Sequence, residues 1–202
     1  MILITNDDGY SSENLYLLYN ICKEIDDDVL LVTSFDNHSL KGNLCSLNKK
    51  FKVEKIKEGY IIDGTPVDCV RFGLSKCNPD LIVTGINDEY NIGWETLLCS
   101  GTFMSAYEGY LHNIKSLACS MRDFDNVEVI TDLIIKVLNF DFKLANLNIK
   151  SEKLVETKTC KTYWEYEIKD NEVLTSILSD FEVGSDAEAV FNKNCSSFCI
   201  IK

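Results

Sequence analysis

The residues that follow Met1 constrain the fold more than any others in the chain, because residues 2–9 read ILITNDDG. A run of Ile and Leu that ends in Asn, Asp and Gly is typical of a buried strand followed by a turn. In open α/β sheets, ligands bind outside the carboxyl ends of the strands. Asp7 and Asp8 are therefore predicted at the place where such a fold binds its ligand.

The two adjacent carboxylates permit two interpretations. Like charges side by side repel each other, and a cation between or beside them relieves that repulsion. Hard oxygen ligands of this kind suit Mg²⁺, Mn²⁺ or Ca²⁺. The same residues could instead form a polar turn before a helix, since Asn and Asp favour turns for local reasons. The motif alone leaves both interpretations open.

Composition limits the class of protein. The chain has 202 residues, of which 46% are hydrophobic, so it is predicted to form one domain over residues 1–202. It contains no run of about 18 apolar residues and no basic N-terminal signal region, which predicts a cytoplasmic protein without a membrane partner. The formal net charge of −12 argues against binding a nucleic-acid polymer, whose phosphates attract clustered Lys and Arg.

The nine cysteines include no C-x-x-C pair. Several of them lie in apolar runs, which is typical of buried, reduced thiols in a cytosolic protein. Their spacing does not favour a structural zinc site.

Alternating strand and helix patterns predict a Rossmann-like, doubly wound α/β fold, with a mostly parallel sheet covered by helices on both faces. Helices are expected over residues 13–25, 66–74 and 103–110 and around residues 127–137, and one or two hairpins within 44–62. Strands are expected at the start of the chain and over residues 29–33, 81–84, 116–120 and 144–149. The core should cover about residues 1–149, with 144–149 as the last strand of the main sheet. Residues 150–202 are expected to form an appendage, with a hairpin over 162–178, a short helix over 186–191 and a strand over 197–201.

Four polar segments should meet at one edge of this sheet and form a single cleft. They cover residues 6–9, 37–43, 85–87 and 100–102. Within them, Asp7, Asp8, Ser39 and Asn87 offer oxygen ligands that fit Mg²⁺ or Mn²⁺ better than zinc. Residues 100–102 (Ser-Gly-Thr) precede a predicted helix, so they could cradle a phosphate or act only as an N-cap.

A divalent cation beside an anion cradle implies phosphoryl chemistry, in which the metal polarises the phosphate and lowers the pKa of a bound water. One aspartate would hold the metal while the other orients or deprotonates that water. His38, beside Ser39, could contact the substrate or the leaving group. His112 is expected to cap a helix or pack in the core, and Cys99 to be a packed thiol.

Several motifs in this order resemble the SurE family of 5′/3′-nucleotidases. They are ILITNDDG at residues 2–9, HSLKGN at 38–43, GTPVDCV at 64–70, PDLIVTGIN at 79–87, NIG at 91–93, SGTFMSAYEG at 100–109 and LANLNI at 144–149. The resemblance runs in register from residue 1 to about residue 149, and SDAEAV at 185–190 and SFCII at 197–201 are similar to the family's last shared segments. The chain is thus identified as a divergent member of the family with a shortened C-terminal region.

The resemblance implies metal-dependent hydrolysis of nucleoside monophosphates to nucleoside and phosphate, with one Mg²⁺ or Mn²⁺ per subunit and a homodimer. It implies metal ligation by Asp7, Asp8, Ser39 and Asn87. Predicted catalytic residues are Asp7, Asp8 and His38, and predicted substrate or phosphate contacts are Asn6, Ser39, Asn91, Ser100, Gly101 and Thr102.

The chain departs from the family pattern at three positions, which keeps an alternative open. The family usually carries Arg where His38 stands, a small residue where Leu40 stands, and glycine where Glu89 stands. A lost cation and an added carboxylate could weaken turnover, so the alternative is a nucleotide- or metal-binding protein with little catalysis. A haloacid-dehalogenase-type phosphatase would need an Asp-x-Asp pair after the first strand, and adjacent Asp7 and Asp8 do not give that spacing.

Overall fold

A computed structural model describes residues 1–42, 44–169, 172–179 and 181–201, with the backbone alone over 163–169 and 172–178. Asn43 of the HSLKGN motif therefore lies outside the described residues. The strands are β1 (Ile2–Thr5), β2 (Val29–Ser34), β3 (Val53–Lys55), β4 (Gly59–Ile62), β5 (Leu81–Asn87), β6 (Lys115–Met121), β7 (Leu144–Ile149), β8 (Leu154–Thr157), β9 (Thr162–Lys169), β10 (Glu172–Ser179) and β11 (Ser196–Ile201). The helices are α1 (Glu13–Ile25), α2 (Pro66–Leu74), α3 (Trp94–Cys99), α4 (Gly101–Leu111) and α5 (Val127–Leu138).

The main sheet has nine strands in the order β3-β4-β2-β1-β5-β6-β7-β11-β8. All pairs from β4 to β7 are parallel, as are β11 and β8, whereas β3 with β4 and β7 with β11 are antiparallel. From β1 the chain first builds outwards through β2 and β4, and then crosses to β5 on the other side. The order of connections thus reverses between β1 and β5, which makes this crevice the topological switch point where doubly wound sheets bind ligands. The predicted doubly wound α/β fold is confirmed.

Strand β1 shows why the sheet is covered on both faces. Successive side chains of a strand point to opposite faces. Ile2 and Ile4 pack in the same core as α1 and α5, whereas Leu3 packs in a second core with α2. All three side chains are buried, so the continuous apolar run of the sequence reflects a strand that is covered on both sides.

The start of α2 follows the local rules that predicted it. The Thr65 hydroxyl accepts a hydrogen bond from the Asp68 amide, and the Asp68 carboxylate accepts one from the Thr65 amide. This reciprocal capping box, with Pro66 in the first turn, satisfies backbone groups that a helix start leaves open. Helix α3 was not predicted, because its six residues are too few to show a helical period.

The prediction that residues 144–149 are the last strand of the main sheet is wrong. Strand β11 returns from the C-terminal region to pair antiparallel with β7, and β8 pairs with β11. This pairing joins residues about 50 positions apart in sequence, which no local pattern reports. The predicted hairpin is confirmed as the separate β9–β10 pair. The short helix is a single π-helical turn over Glu188–Asn192.

No helix within the described ranges is both long and apolar enough to cross a membrane.

Candidate active site

A cavity of about 340 Å³ opens at the switch point between β1 and β5. Asp7 and Asp8 directly follow β1, and Asn87 ends β5. The parallel register of these two strands brings their carboxyl ends to the same place. The cavity is lined by Asp7, Asp8, Asn37, Ser39, Leu40, Asn87, Asp88, Glu89, Tyr90, Asn91, Thr96, Cys99 and Ser100. All four polar segments predicted to meet here contribute to the lining: residues 6–9 and 37–43 contribute two or more residues each, residues 85–87 contribute Asn87, and residues 100–102 contribute Ser100.

Asp7 is a buried carboxylate fixed by the start of α4. The Thr102 hydroxyl donates a hydrogen bond to its Oδ1 atom. Burial raises the pKa of Asp7, while the Thr102 hydroxyl and the backbone amides of Thr102 and Gly101 act in the opposite direction. A Cβ atom at Gly101 would lie 2.7 Å from the Asp7 Cβ atom, so only glycine permits this approach. Two of the amides predicted to cradle a phosphate, those of Gly101 and Thr102, therefore lie close enough to Asp7 to favour its charged form.

Asp8 lies closer to the cavity and is less completely satisfied. Its Oδ1 atom accepts hydrogen bonds from the Ser39 hydroxyl at 3.2 Å and from the Asn37 amide group at 3.4 Å. Its Oδ2 atom is buried and has no hydrogen-bond partner among the described residues. Burial, together with the charges of Asp7 and Asp88, raises the pKa of Asp8 to about 6.

The loop between β5 and α3 is held by buried residues that sequence analysis did not select. The Asn91 side chain donates to the Ser120 hydroxyl at 2.9 Å, and its backbone carbonyl accepts hydrogen bonds from Asn146 and Asn148. The Asn148 side-chain oxygen also accepts a hydrogen bond from the Asn91 backbone N–H at 2.9 Å. The sequence did contain a signal for these contacts. The asparagines of the otherwise apolar LANLNI strand need hydrogen-bond partners once they are buried.

A second buried anchor for this loop is Asp186 in the C-terminal region. Its carboxylate accepts backbone hydrogen bonds from Gly93 at 3.0 Å and from Cys160 and Ala187 at 2.9 Å. These three donors belong to segments far apart in sequence. Asp186 therefore ties the wall of the cavity to residues beyond the predicted core.

The remaining predicted site residues have different placements. Asn6 and Thr102 are fully buried behind the carboxylates. The Asn6 side chain donates a hydrogen bond to the Gly9 carbonyl and accepts one from the Thr33 hydroxyl. The Asn87 side chain donates to the Glu89 carbonyl at 2.6 Å while lining the cavity. Gly101 contacts Asp7 and is not among the lining residues.

His38 is beside the cavity-lining Ser39 without lining the cavity itself. Its backbone N–H donates to the Asp7 carbonyl at 2.6 Å, and its Nδ1 atom has no partner in the described part of the chain. Burial and the charge of Lys41 lower the pKa of His38, which keeps the imidazole neutral at neutral pH.

Two other sequence predictions have clear structural outcomes. His112 caps the end of α4, and its Nε2 atom lies 3.3 Å from the Glu108 carboxylate, away from the cavity. Cys99 is half-buried and lines the cavity, so its predicted packing is only partial. All nine cysteines are free.

Oxygen donors at the cavity fit a hard divalent cation. Within the described residues, no group of three His, Cys, Asp or Glu side chains is placed to hold a metal. The available donors are instead two carboxylates, one hydroxyl and one amide oxygen, which suit Mg²⁺ or Mn²⁺. The buried, unpartnered Oδ2 atom of Asp8 is the observation that such a cation would explain.

Taken together, the fold and the site define a doubly wound α/β protein with a carboxylate-lined cavity at its switch point. The family model described as Survival protein SurE matches residues 2–170. The chain therefore belongs to the SurE family. The match also extends about 20 residues beyond residue 149, where the resemblance in register ended in the sequence analysis.

Individual relatives agree with this assignment. The chain is 42% identical over 130 residues to a protein of Methanococcus maripaludis strain S2, a match that covers 60% of this chain and 49% of the relative. It is 36% identical over 169 residues to one of Sulfurimonas denitrificans, covering 73% of this chain and 64% of the relative. Both are named 5′-nucleotidase SurE. The matches thus span about half to just under two thirds of the length of these curated relatives.

A solved structure has the same fold over nearly the whole chain. The crystal structure of SurE protein from Aquifex aeolicus superposes with a TM-score of 0.80 at 28% identity. The superposition covers 99% of this chain and 92% of that chain.

Proposed function

We propose that this chain is a metal-dependent phosphomonoesterase that hydrolyses nucleoside 5′-monophosphates, and also 3′-monophosphates, to nucleoside and phosphate. The observation that carries the proposal is the pair of adjacent carboxylates at the switch point, one of which has a buried oxygen without a partner. The relatives named 5′-nucleotidase SurE support the choice of substrate class.

One Mg²⁺ or Mn²⁺ per subunit would be held by Asp7, Asp8, Ser39 and Asn87. When bound, it would supply Lewis-acid polarisation of the phosphate and a lowered pKa for the attacking water. Asp7 is the rigid ligand, because Thr102 and the start of α4 fix its carboxylate. Asp8 would hold the cation through its unpartnered Oδ2 atom, since its Oδ1 atom is already engaged, and the same carboxylate would orient or deprotonate the water.

The substrate contacts fall into two groups. Ser39, Asn91 and Ser100 line the cavity, where they can contact the phosphate or the ribose directly. Asn6, Gly101 and Thr102 lie behind it, and their contribution is to hold the Asp7–Asp8 turn and its neighbours. His38 is proposed to contact the leaving group, because it adjoins the cavity-lining Ser39 and its buried Nδ1 atom has no hydrogen-bond partner among the described residues.

Phosphate release from AMP tests this function. The wild-type protein is expected to release phosphate with Mn²⁺ and not with EDTA, and Asp8→Asn to lose at least about a hundredfold in rate, as for the loss of one strong electrostatic contact. Asp132→Asn on the exposed side of α5 is the matched control and keeps the wild-type rate. Phosphate release that is unaffected by EDTA or by Asp8→Asn contradicts the proposal.

A second candidate function, nucleotide binding with little turnover, is favoured by Glu89. This carboxylate lines the cavity, where it adds negative charge close to an incoming phosphate. Its Oε2 atom lies 3.2 Å from Arg122, and both side chains are more than half exposed, so the charge is only partly compensated. Calorimetric binding of AMP without phosphate release would favour this candidate over the enzyme.

We also propose that the protein acts on small-molecule nucleotides in the cytoplasm as a homodimer, with neither a nucleic-acid polymer nor a membrane as partner. The net charge of −12 supports the exclusion of nucleic acid. Light scattering on the eluting protein measures the oligomer, and a mass of one chain contradicts the dimer.

A further inference from the structure

Tyr90 gives the cavity a chemically distinct wall. It is the one aromatic side chain among the described residues that line the cavity. Asp7 and Asp8 supply the anionic part of the same cavity, whereas the Tyr90 ring adds a planar, largely apolar surface. The cavity therefore combines a polar part suited to a cation and a phosphate with a part suited to a flat ring.

Contacts on several sides hold the Tyr90 ring in place. Its hydroxyl donates a hydrogen bond to the Arg122 carbonyl at 3.1 Å. Its ring meets Phe191 edge to face, with the centroids 6.3 Å apart and the planes at 79°. It also packs against the apolar cluster that contains Ile92 and Val190, and the Lys150 Nζ atom lies over the ring, 5.9 Å from its centroid. A ring that is fixed before binding loses little conformational entropy when a ligand stacks on it.

The backbone beneath the ring is equally constrained. The next residue, Asn91, is bonded through its amide, carbonyl and side chain to buried groups on β6 and β7. Burial raises the pKa of Tyr90, so its phenol is uncharged at neutral pH and does not repel an anionic ligand.

We propose that the Tyr90 ring is the platform on which the nucleobase of the substrate stacks, which makes Tyr90 a specificity-determining residue. This inference rests on the proposed function, because it assigns the base-binding part of the same cavity. Every base has a π-face, so the platform accepts all nucleotides and favours the larger purines. A sugar phosphate without a base gains nothing from it.

The experiment separates stacking from packing with two variants. Tyr90→Leu fills the apolar space beside Phe191 but has no ring, whereas Tyr90→Phe keeps the ring and loses the hydrogen bond to Arg122. Calorimetry measures the dissociation constants of adenosine and of ribose, neither of which can be hydrolysed. AMP and ribose 5-phosphate give the corresponding KM values.

The expected result is specific to the base. Tyr90→Leu weakens adenosine binding about tenfold relative to ribose binding and raises the KM of AMP by a similar factor relative to that of ribose 5-phosphate. Tyr90→Phe restores most of the preference for the base. Equal losses for both kinds of ligand, or an unchanged preference in Tyr90→Leu, overturn the proposal.

The wild-type protein provides a test that needs no variant. It should bind adenosine at least about tenfold more tightly than ribose, because only adenosine can stack. The absence of that preference overturns the role of Tyr90, while phosphate release from ribose 5-phosphate still supports the phosphomonoesterase. Tight adenosine binding without any phosphate release would give the opposite result. It would support the role of Tyr90 in base stacking and contradict the proposed phosphomonoesterase activity.

Discussion

Carboxylates lie at both ends of α4, but only the C-terminal end also has cationic side chains of the chain beside its carboxylate. At the C-terminal end, Glu108 accepts hydrogen bonds from Arg71 Nε at 2.7 Å and from Arg71 Nη2 at 3.1 Å. His112 lies 3.3 Å from the same carboxylate. At the N-terminal end, Asp7 and Asp8 lie side by side, and none of the hydrogen-bond donors described for them belongs to a cationic side chain.

The pKa shifts follow this difference. Burial alone would raise the pKa of Glu108, but Arg71 and His112 outweigh it and lower the pKa overall. For Asp8, burial and the charge of Asp7 act in the same direction and raise the pKa to about 6. A buried carboxylate paired with Arg serves stability, whereas a pair of carboxylates without a cation is suited to receive one from solution.

The largest effect is expected for Asp7→Asn. Because Asp7 is the proposed rigid ligand, its loss should reduce both Mn²⁺ affinity and phosphate release from AMP by more than about a hundredfold, beyond the 10- to 100-fold typical of outer-shell partners. The metal-free variant should unfold at no lower a temperature than the wild type, since a like-charge repulsion is removed. Calorimetry and thermal unfolding check both statements, and a strongly destabilised metal-free variant would show that Asp7, like Glu108, serves stability.

Glu108→Gln should have the opposite effects from Asp7→Asn, with a loss of stability and little loss of activity. Loss of the charge-assisted hydrogen bonds to Arg71 should lower the free energy of unfolding by about 2 kcal/mol. Phosphate release well below the unfolding transition should stay within about twofold of wild type, because Glu108 is remote from the cavity. Urea unfolding and the AMP assay measure the two quantities. An activity loss as large as that of Asp7→Asn would show that the two ends of α4 do not act independently in catalysis.

Gly101→Ala tests how closely the start of α4 fixes the Asp7 carboxylate. The added Cβ atom would lie 2.7 Å from the Asp7 Cβ atom, so the carboxylate must move. We expect Mn²⁺ affinity to fall about tenfold. Gly109→Ala on the same helix is the control, since its Cβ atom would meet the Ser116 hydroxyl and Ile82 instead. That variant should lose stability while keeping its affinity for Mn²⁺, and equal affinities in both variants would contradict the role of Gly101.

The smallest effect is the pH dependence of the Glu108 contribution. Because the pKa of Glu108 is lower in the folded state, its stabilisation is complete above the unfolded pKa of about 4.3 and is lost as the pH falls through the folded value. The difference in unfolding free energy between wild type and Glu108→Gln should therefore shrink below that pH, by less than about 1.4 kcal/mol per pH unit. Urea unfolding at several pH values measures it, and a difference that grows on acidification contradicts the pairing with Arg71.

Local sequence signals predicted the elements that carry the site. The helix α1 was predicted with its observed bounds of Glu13–Ile25, and Thr65 and Pro66 correctly marked the start of α2. Because parallel strands end at a common edge, the sequence also predicted that Asp7, Asp8 and Asn87 approach one another. These inferences depend only on periodicity, capping and chain direction.

Interactions between distant segments could not be predicted in the same way. The insertion of β11 beside β7 and the anchoring of Gly93 by Asp186 join segments between about 50 and 93 residues apart. The hydrogen bond from Thr102 to Asp7 and the packing of Gly101 against it depend on a close approach that only the folded chain defines. A polar segment at a helix start is equally consistent with binding a phosphate or a carboxylate of the protein itself.

Titration of Mn²⁺ into the metal-free protein, followed by calorimetry, tests most directly whether the Asp7–Asp8 end of α4 receives a cation from solution. The wild type should bind one Mn²⁺ per chain, and Asp8→Asn should bind it at least about tenfold more weakly, whereas Glu108→Gln should bind it as the wild type does. No binding by the wild type, or equal binding by wild type and Asp8→Asn, would contradict the assignment of this carboxylate pair as a metal site.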